Sequence, residues 1–142
     1  MISCADASFI FSIYLTDANS AAAETKILRA KLPILVTDLA ELEFTNAVNL
    51  RVFRNQLQPS QAKNALTDFR SDVESRVLRV VPLPASIFQH ARRISEQRTP
   101  VLGTRALDLL QVAAAIALKA ELFYTFDVKQ AKLAAAEGLR VP

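Results

Sequence analysis

Glycine is almost absent from this chain, and cysteine, histidine and tryptophan are scarce as well. The 142 residues include two glycines, one cysteine, one histidine and no tryptophan. Phosphate-binding loops of nucleotide triphosphatases and the dinucleotide-binding fingerprint each require several clustered glycines. Because Gly103 and Gly138 are far apart in the sequence, both classes of nucleotide site are excluded.

The single cysteine and the single histidine exclude further classes of site. Cys4 has no partner for an internal disulfide and belongs to no multi-cysteine zinc motif. We expect it to be a small buried side chain beside the first strand, in a protein of the reducing cytoplasm. His90 has no second histidine with which to share a metal, and it is too isolated to build a Ser-His-Asp triad. We therefore expect His90 to be a polar residue on a helix surface.

Hydrophobic residues make up 51% of the chain, but no uncharged apolar run is long enough to span a membrane. The N-terminus has no basic segment and carries Asp6 early, so it lacks the layout of a signal peptide. We expect one cytoplasmic domain over residues 1–142, with no membrane contact. The net charge of +3 and the isoelectric point near 9.3 are compatible with a polyanionic partner.

Short apolar runs alternate with helical patterns along the whole chain. This alternation predicts an α/β fold, in which a central parallel sheet of about five strands is flanked by helices. We expect strands at 2–5, 34–37, 78–82, 122–125 and 139–141. The helices are expected at 9–14, 21–31, 38–55, 61–75, 85–97, 106–118 and 129–137, with Ser60 capping the fourth and residues 98–104 forming a loop.

The most apolar segment, residues 106–118, contains two polar residues before its end, Asp108 and Gln111. A helix that is apolar on all faces is buried, so an ionised Asp108 needs a cation, hydrogen-bond donors or a metal beside it.

Two further acids follow expected strands. Asp6 comes directly after the first strand and Asp127 after the fourth. Because the carboxyl ends of parallel strands open onto the ligand crevice, we expect both acids to lie at one site. The simpler interpretation of Asp6, as a helix N-cap, stays open.

The helix predicted at 38–55 carries two acids of different character. Asp38 and Glu41 have the spacing of a capping box, which gives Glu41 a structural role. Glu43 has no such role and interrupts an apolar stripe, so we expect it to face inward. A rotated assignment stays open, because a neighbouring stripe is also apolar. The first stripe is Leu39, Glu43, Ala47 and Leu50, and the second is Phe44, Val48 and Val52.

If Asp6, Glu43, Asp108 and Asp127 converge, their repulsion requires a divalent cation. Carboxylate oxygens suit Mg²⁺ or Mn²⁺ better than zinc. Such a site can polarise a phosphodiester and activate a water for its hydrolysis. Three residues near the acids in sequence are expected to orient water or carboxylates: Ser8, Asn46 and Thr125.

Four segments in this order resemble a PIN domain, most like the VapC-type toxins of bacterial toxin-antitoxin pairs. The segments are Asp6-Ala-Ser8, Leu42-Glu-Phe-Thr-Asn-Ala47, Arg105-Ala-Leu-Asp108, and Phe123-Tyr-Thr-Phe-Asp127 followed by Gly138-Leu139. The resemblance covers essentially the whole chain.

The resemblance implies a Mg²⁺- or Mn²⁺-dependent endoribonuclease that hydrolyses RNA phosphodiester bonds. It also implies a homodimer that a cognate antitoxin inhibits, with Asp6, Glu43, Asp108 and Asp127 as the catalytic, metal-binding acids. Gln111 stands where many relatives carry histidine. We expect this departure to touch no acid and to leave the metal site intact.

Two other interpretations stay open. In the first, the fold is a catalytically inactive PIN-like module whose basic surface binds RNA or a partner. In the second, the chain is a receiver-like phosphoacceptor domain, which also gathers acids at strand ends. The second requires an acceptor aspartate in mid-sheet and a lysine after a late strand, and the strands at 34–37 and 78–82 are not followed by that pair.

Overall fold

Four short parallel strands form one sheet at the centre of the protein. The computed structural model describes all residues 1–142. The strands are β1 (Ser3–Ala5), β2 (Ile34–Thr37), β3 (Leu78–Val81) and β4 (Leu122–Tyr124), in the spatial order β3-β2-β1-β4. The helices are α1 (Ala7–Tyr14), α2 (Ser20–Arg29), α3 (Asp38–Phe53), α4 (Pro59–Glu74), α5 (Ile87–Leu102), α6 (Ala106–Ala117) and α7 (Val128–Ala136). The α/β class and the parallel sheet predicted from the sequence are confirmed.

The fifth strand of the prediction is reduced to a single bridge beside β4. Arg140 pairs in parallel with Leu122, with hydrogen bonds from Phe123 N to Arg140 O (2.8 Å) and from Arg140 N to Glu121 O (2.9 Å). Pro142, two residues later, has no N–H to donate to the ladder. The sheet therefore has four strands, one fewer than expected.

Hydrophobic residues are buried on both faces of the sheet. On β1, Cys4 belongs to the cluster under α5, α6 and α7, while the next residue, Ala5, belongs to the cluster under α1 to α4. This division follows from the alternation of side chains along a strand. Helix α6 is buried at every position from Leu109 to Ala115, as its all-apolar sequence predicts.

The predicted caps of two helices are wrong. The N-cap of α3 is Thr37, whose hydroxyl accepts a hydrogen bond from Ala40 N at 3.0 Å. Asp38 Oδ1 instead accepts from Leu83 N at 3.1 Å, so Asp38 and Glu41 form no capping box. Helix α4 begins at Pro59 rather than at 61, because its N-cap is Gln58 and not Ser60, and Gln61 Oε1 accepts from Gln58 N at 2.8 Å in a capping box.

Helix α5 extends through most of the segment predicted to be a loop. It continues to Leu102 with Pro100 in its last turn, and Gly103 ends it in the left-handed conformation with φ of 64°. Arg98 binds the end of α7, through Glu137 Oε2 (2.8 Å) and Ala136 O (2.9 Å). These contacts hold α5 in place beyond residue 97. No helix of the protein is both long and apolar enough to cross a membrane.

Burial raises the pKa of the Cys4 thiol from 9.0 to about 12. Between pH 9 and 12 the folded protein therefore keeps the thiol proton, while the unfolded chain releases it. The free energy of unfolding has its full value below pH 9 and decreases as the pH rises toward 12. We expect the free energy of unfolding to fall between pH 9 and 11, and Cys4→Ala to reduce that slope by up to about 1.4 kcal/mol per pH unit. Urea unfolding at several pH values measures both slopes, and equal slopes would contradict the assignment.

Candidate functional site

Two acids lie side by side at the carboxyl edge of the sheet because β1 and β4 are neighbours. Ala5 pairs with Tyr124, so Asp6 and Asp127 leave the sheet at nearly the same level. Asp6 is the N-cap of α1 and accepts from Phe9 N at 3.1 Å. Asp127 is the N-cap of α7, where its Oδ1 accepts from the backbone N–H groups of the second and third residues of the turn at 2.9 and 3.1 Å.

Two hydroxyls hold the Asp6 carboxylate. Ser8 Oγ donates to Asp6 Oδ1 at 2.6 Å, and Thr125 Oγ1 donates a short hydrogen bond to Asp6 Oδ2. Thr125 Oγ1 also accepts from Asp127 N at 3.0 Å, and Ser8 Oγ accepts from Phe126 N at 3.0 Å. The two hydroxyls thus tie the end of β1 to the end of β4.

Asp6 is only 6% exposed. Burial raises the pKa of its carboxyl to about 6, against the hydrogen bonds from Ser8, Thr125 and Phe9 N, and the nearby charge of Asp127 raises it further. The three hydrogen bonds therefore compensate only in part for the burial of the Asp6 carboxylate.

Glu43 is fixed by a residue that lies 68 positions away in sequence. Gln111 Nε2 donates to Glu43 Oε1 at 2.8 Å, and Gln111 Oε1 accepts from Thr37 Oγ1 at 3.0 Å. Both ends of this amide are used, and the side chain is 3% exposed. The expectation that the departure at Gln111 touches no acid is therefore wrong.

Glu43 lies on the flank of α3 rather than in its buried stripe. The buried residues of α3 are Ala40, Phe44 and Val48, while Glu43 is half-buried. Burial raises the pKa of Glu43 and the charge of Asp108 raises it further, whereas the Gln111 hydrogen bond and Arg105 lower it. Glu43 and Asp108 therefore form a second pair of neighbouring acids.

Arg105 connects the two acid pairs. Its Nε lies 3.6 Å from Asp108 Oδ2, and its Nη2 lies 3.7 Å from Asp127 Oδ2. The arginine side chain is 71% exposed, so these long ion pairs contribute little to stability. Asp108 Oδ2 is buried and accepts no hydrogen bond. A buried carboxylate oxygen without a donor is costly and indicates a missing partner.

An open cavity of about 440 Å³ lies beside these acids. Ser8, Glu43 and Asp127 line it, together with Arg51 and Arg54 of α3 and its C-cap. Asn46 is exposed and is not among the lining residues. Of the three residues expected to orient water or carboxylates, Ser8 and Thr125 thus contact an acid, and Asn46 does not.

A divalent cation suits the chemistry of this donor set, although the side chains are not arranged around one point. Asp108 Oδ2 accepts no hydrogen bond, and a neighbouring carboxylate adds to the effect of burial in raising the pKa of Asp6 and of Glu43. A hard cation would neutralise this negative charge. No group of three or more His, Cys, Asp and Glu side chains stands in a geometry that could hold a metal ion. Arg105 lies between Asp108 and Asp127, so a cation shared by all four acids requires side-chain rotation.

The model of the PIN domain family matches residues 3–136. The chain belongs to the PIN domain family. No curated protein matches this PIN domain in sequence.

Three solved structures share the fold of this PIN domain. VapC20 of Mycobacterium tuberculosis, a toxin described as cleaving the sarcin-ricin loop, is 16% identical over 96% of this chain and 95% of its own, with a TM-score of 0.72. VapBC2 of Rickettsia felis, bound to a DNA fragment from its promoter, is 17% identical over 100% of this chain and 98% of its own, with a TM-score of 0.69. FitAcB of Neisseria gonorrhoeae is 15% identical over 99% of this chain and 96% of its own, with a TM-score of 0.68.

Sequence reasoning did not identify the roles of Gln111 and Arg105 in this PIN domain. Gln111 was visible as a polar residue in an apolar helix, but its contact with Glu43 depends on the packing of α6 against α3. Arg105 stands three residues before Asp108, a spacing at which opposite charges meet at a helix start.

Replacing Asp108 by asparagine removes a buried charge that repels Glu43. Without metal, we expect Asp108→Asn to raise the melting temperature by about 3 °C at pH 7.5. The exposed acid Glu96 of α5 provides the control, since Glu96→Gln removes the same charge from solvent and should change little. Differential scanning calorimetry in EDTA measures both variants. A lower melting temperature for Asp108→Asn alone would show that the carboxylate is stabilising.

Proposed function

We propose that this PIN domain is a Mg²⁺- or Mn²⁺-dependent endoribonuclease, and that it is the toxin of a toxin-antitoxin pair. One observation carries the proposal. Two pairs of neighbouring acids, Asp6 with Asp127 and Glu43 with Asp108, lie at the carboxyl edge of the sheet with Arg105 between Asp108 and Asp127. Glu43 and Asp127 line a cavity that also presents two arginines, Arg51 and Arg54. Such a cavity offers ligands for a hard cation and positive charge for a phosphodiester backbone.

Asp6, Asp108, Asp127 and Glu43 are the residues that would hold the cation. When bound, Mg²⁺ or Mn²⁺ supplies Lewis-acid polarisation of the phosphodiester and lowers the pKa of a water. Asp108 Oδ2 is the oxygen most in need of a partner, since no donor reaches it. Asp127 Oδ2 is also available, because the backbone donors of α7 bind Oδ1.

The protein's own residues orient the acids and the substrate. Ser8 and Thr125 fix both oxygens of Asp6. Gln111 binds Oε1 of Glu43, which leaves Oε2 to hold a water or accept its proton. The raised pKa of Glu43 favours proton acceptance over that of an exposed glutamate. Arg105 is exposed beside the acids and can move from Asp127 to a phosphate oxygen.

Proposed partners follow from the relatives. VapBC2 is a complex bound to promoter DNA, and FitAcB of Neisseria gonorrhoeae has the same fold. By analogy, we propose a cognate antitoxin for this chain, a homodimeric assembly and a cytoplasmic location. The similarity that supports these partners is one of fold.

An inactive PIN-like module that binds RNA or a partner is the second candidate. Arg105 already pairs with two of the acids, and no three acids are arranged to hold a metal ion. A module without catalysis needs nothing more than this arrangement.

Replacing one carboxylate oxygen of Glu43 by an amide nitrogen distinguishes the ribonuclease from the inactive module. We expect Glu43→Gln to reduce Mn²⁺-dependent RNA cleavage by about 100-fold or more, because the carboxylate oxygen that binds metal or water is lost. Glu41→Gln is the matched control, since Glu41 lies on the same helix and does not line the acidic cavity. Cleavage is measured with labelled RNA, and Mn²⁺ binding by calorimetry. Wild-type protein that binds no Mn²⁺ and cleaves no RNA would favour the inactive module.

A further inference from the structure

A second cavity adjoins the one beside the acids, and four of its eleven lining residues are uncharged and polar: Thr16, Gln56, Gln61 and Asn64. Its volume is about 400 Å³, and its lining comes from α1, α3, α4 and the link between α3 and α4. Phe11 and Arg51 line both cavities. The Arg51 guanidinium lies 4.9 Å from the centroid of the Phe11 ring. This stacked pair is the wall that the two cavities share.

The second cavity presents amides to solvent. Gln56, Gln61 and Asn64 line it, and all three residues are exposed. Gln61 Oε1 accepts from Gln58 N at 2.8 Å, so the NH₂ group of Gln61 is the end of the amide that remains to bind a ligand. An amide donates and accepts hydrogen bonds in one plane, as the edge of a nucleobase does. These groups therefore suit a flat polar ligand better than an aliphatic one.

The shared wall supplies the other part of nucleobase recognition. Unpaired bases stack on aromatic rings and on guanidinium planes, and their edges bind polar side chains. Arg51, which lies against the Phe11 ring, provides a guanidinium plane for such stacking in the wall of the amide-lined cavity. Arg51 and Arg54 also line the acidic cavity, where they can neutralise the phosphates of the same strand.

The spacing along α3 from Glu43 to Arg51, which lines both cavities, agrees with a single bound strand. Glu43 and Arg51 are eight residues apart on α3, about 12 Å along the helix axis. A nucleotide chain with a phosphate beside the acids must extend along α3 to reach the second cavity. A ligand restricted to one phosphate cannot occupy both.

We propose that the amide-lined cavity is a subsite for an unpaired nucleobase of the RNA strand whose phosphodiester lies at the acids. The proposal rests on the proposed ribonuclease function and adds a base preference to it. Asn64 and Asp68 lie one turn apart on α4 and both line the cavity. Asn64 Oδ1 and the Asp68 carboxylate accept from the amino group of adenine, whereas uracil presents a carbonyl oxygen at that position, which the acceptor-only carboxylate repels. The subsite therefore favours adenine over uracil.

RNA binding without cleavage tests the subsite. Fluorescence anisotropy of labelled oligoadenylate and oligouridylate is measured with the full-length protein in EDTA. We expect tighter binding of oligoadenylate, and Asn64→Ala to weaken that binding by about tenfold without changing the affinity for oligouridylate. Phe11→Leu should weaken binding of both RNAs, because stacking does not depend on base identity. Gln97→Ala is the matched control, because Gln97 is exposed on α5 and lines neither cavity.

The outcomes separate the subsite from the ribonuclease function. If wild-type protein cleaves RNA with Mn²⁺, but Asn64→Ala and Gln97→Ala bind both RNAs as the wild type does, the subsite is wrong and the ribonuclease function stands. A cavity that takes an extended peptide instead of RNA would give this same unchanged affinity. If the wild type neither binds nor cleaves RNA, both proposals fail. Thermal unfolding of Phe11→Leu shows whether the variant is folded, so that weaker RNA binding can be attributed to lost stacking and not to unfolding.

Discussion

The Asp6 carboxylate lies almost out of reach of water at the end of the interior strand β1, next to the end of β4 and Asp127. Burial of this charge is unfavourable, as its raised pKa records. Three donors compensate in part: Ser8 Oγ, Thr125 Oγ1 and Phe9 N. The parallel pairing of β1 with β4 and the start of α1 are both needed to assemble these donors. The buried charge of Asp6 is therefore stabilised by the way the chain is folded at this edge of the sheet.

The four acids are not held equally. Asp6 and Glu43 are tied to named donors, whereas Asp108 has a buried oxygen with no hydrogen bond and Asp127 has one oxygen that meets only Arg105 at 3.7 Å. An arrangement that leaves a buried oxygen unsatisfied costs stability, and such costs are concentrated at functional sites. Arg105 is the local cation, but its exposure makes it a weak one. A stronger positive charge at this point would improve both the electrostatics and the hydrogen bonding of the site.

Local patterns predicted the fold well and the contacts of the site incompletely. The strand at 34–37, the buried helix after Ala106 and the acids at the ends of β1 and β4 follow from short-range rules of periodicity and capping. The cap of α3 was misassigned because Thr37 and Asp38 are both good cap residues, and only the backbone decides between them. The contact of Gln111 with Glu43 joins α6 to α3 across the fold. One sequence contains no signal for a contact of that range, so the role of Gln111 could not be predicted.

We propose that these acids bind a divalent cation. The most direct measurement is an anomalous difference map from a crystal grown with Mn²⁺. We expect a peak within roughly 2.0–2.6 Å of carboxylate oxygens from at least three of the acids Asp6, Glu43, Asp108 and Asp127, with the Arg105 guanidinium displaced from between Asp108 and Asp127. A map with no peak at this edge of the sheet, and with Arg105 still paired to Asp108 and Asp127, would contradict the claim.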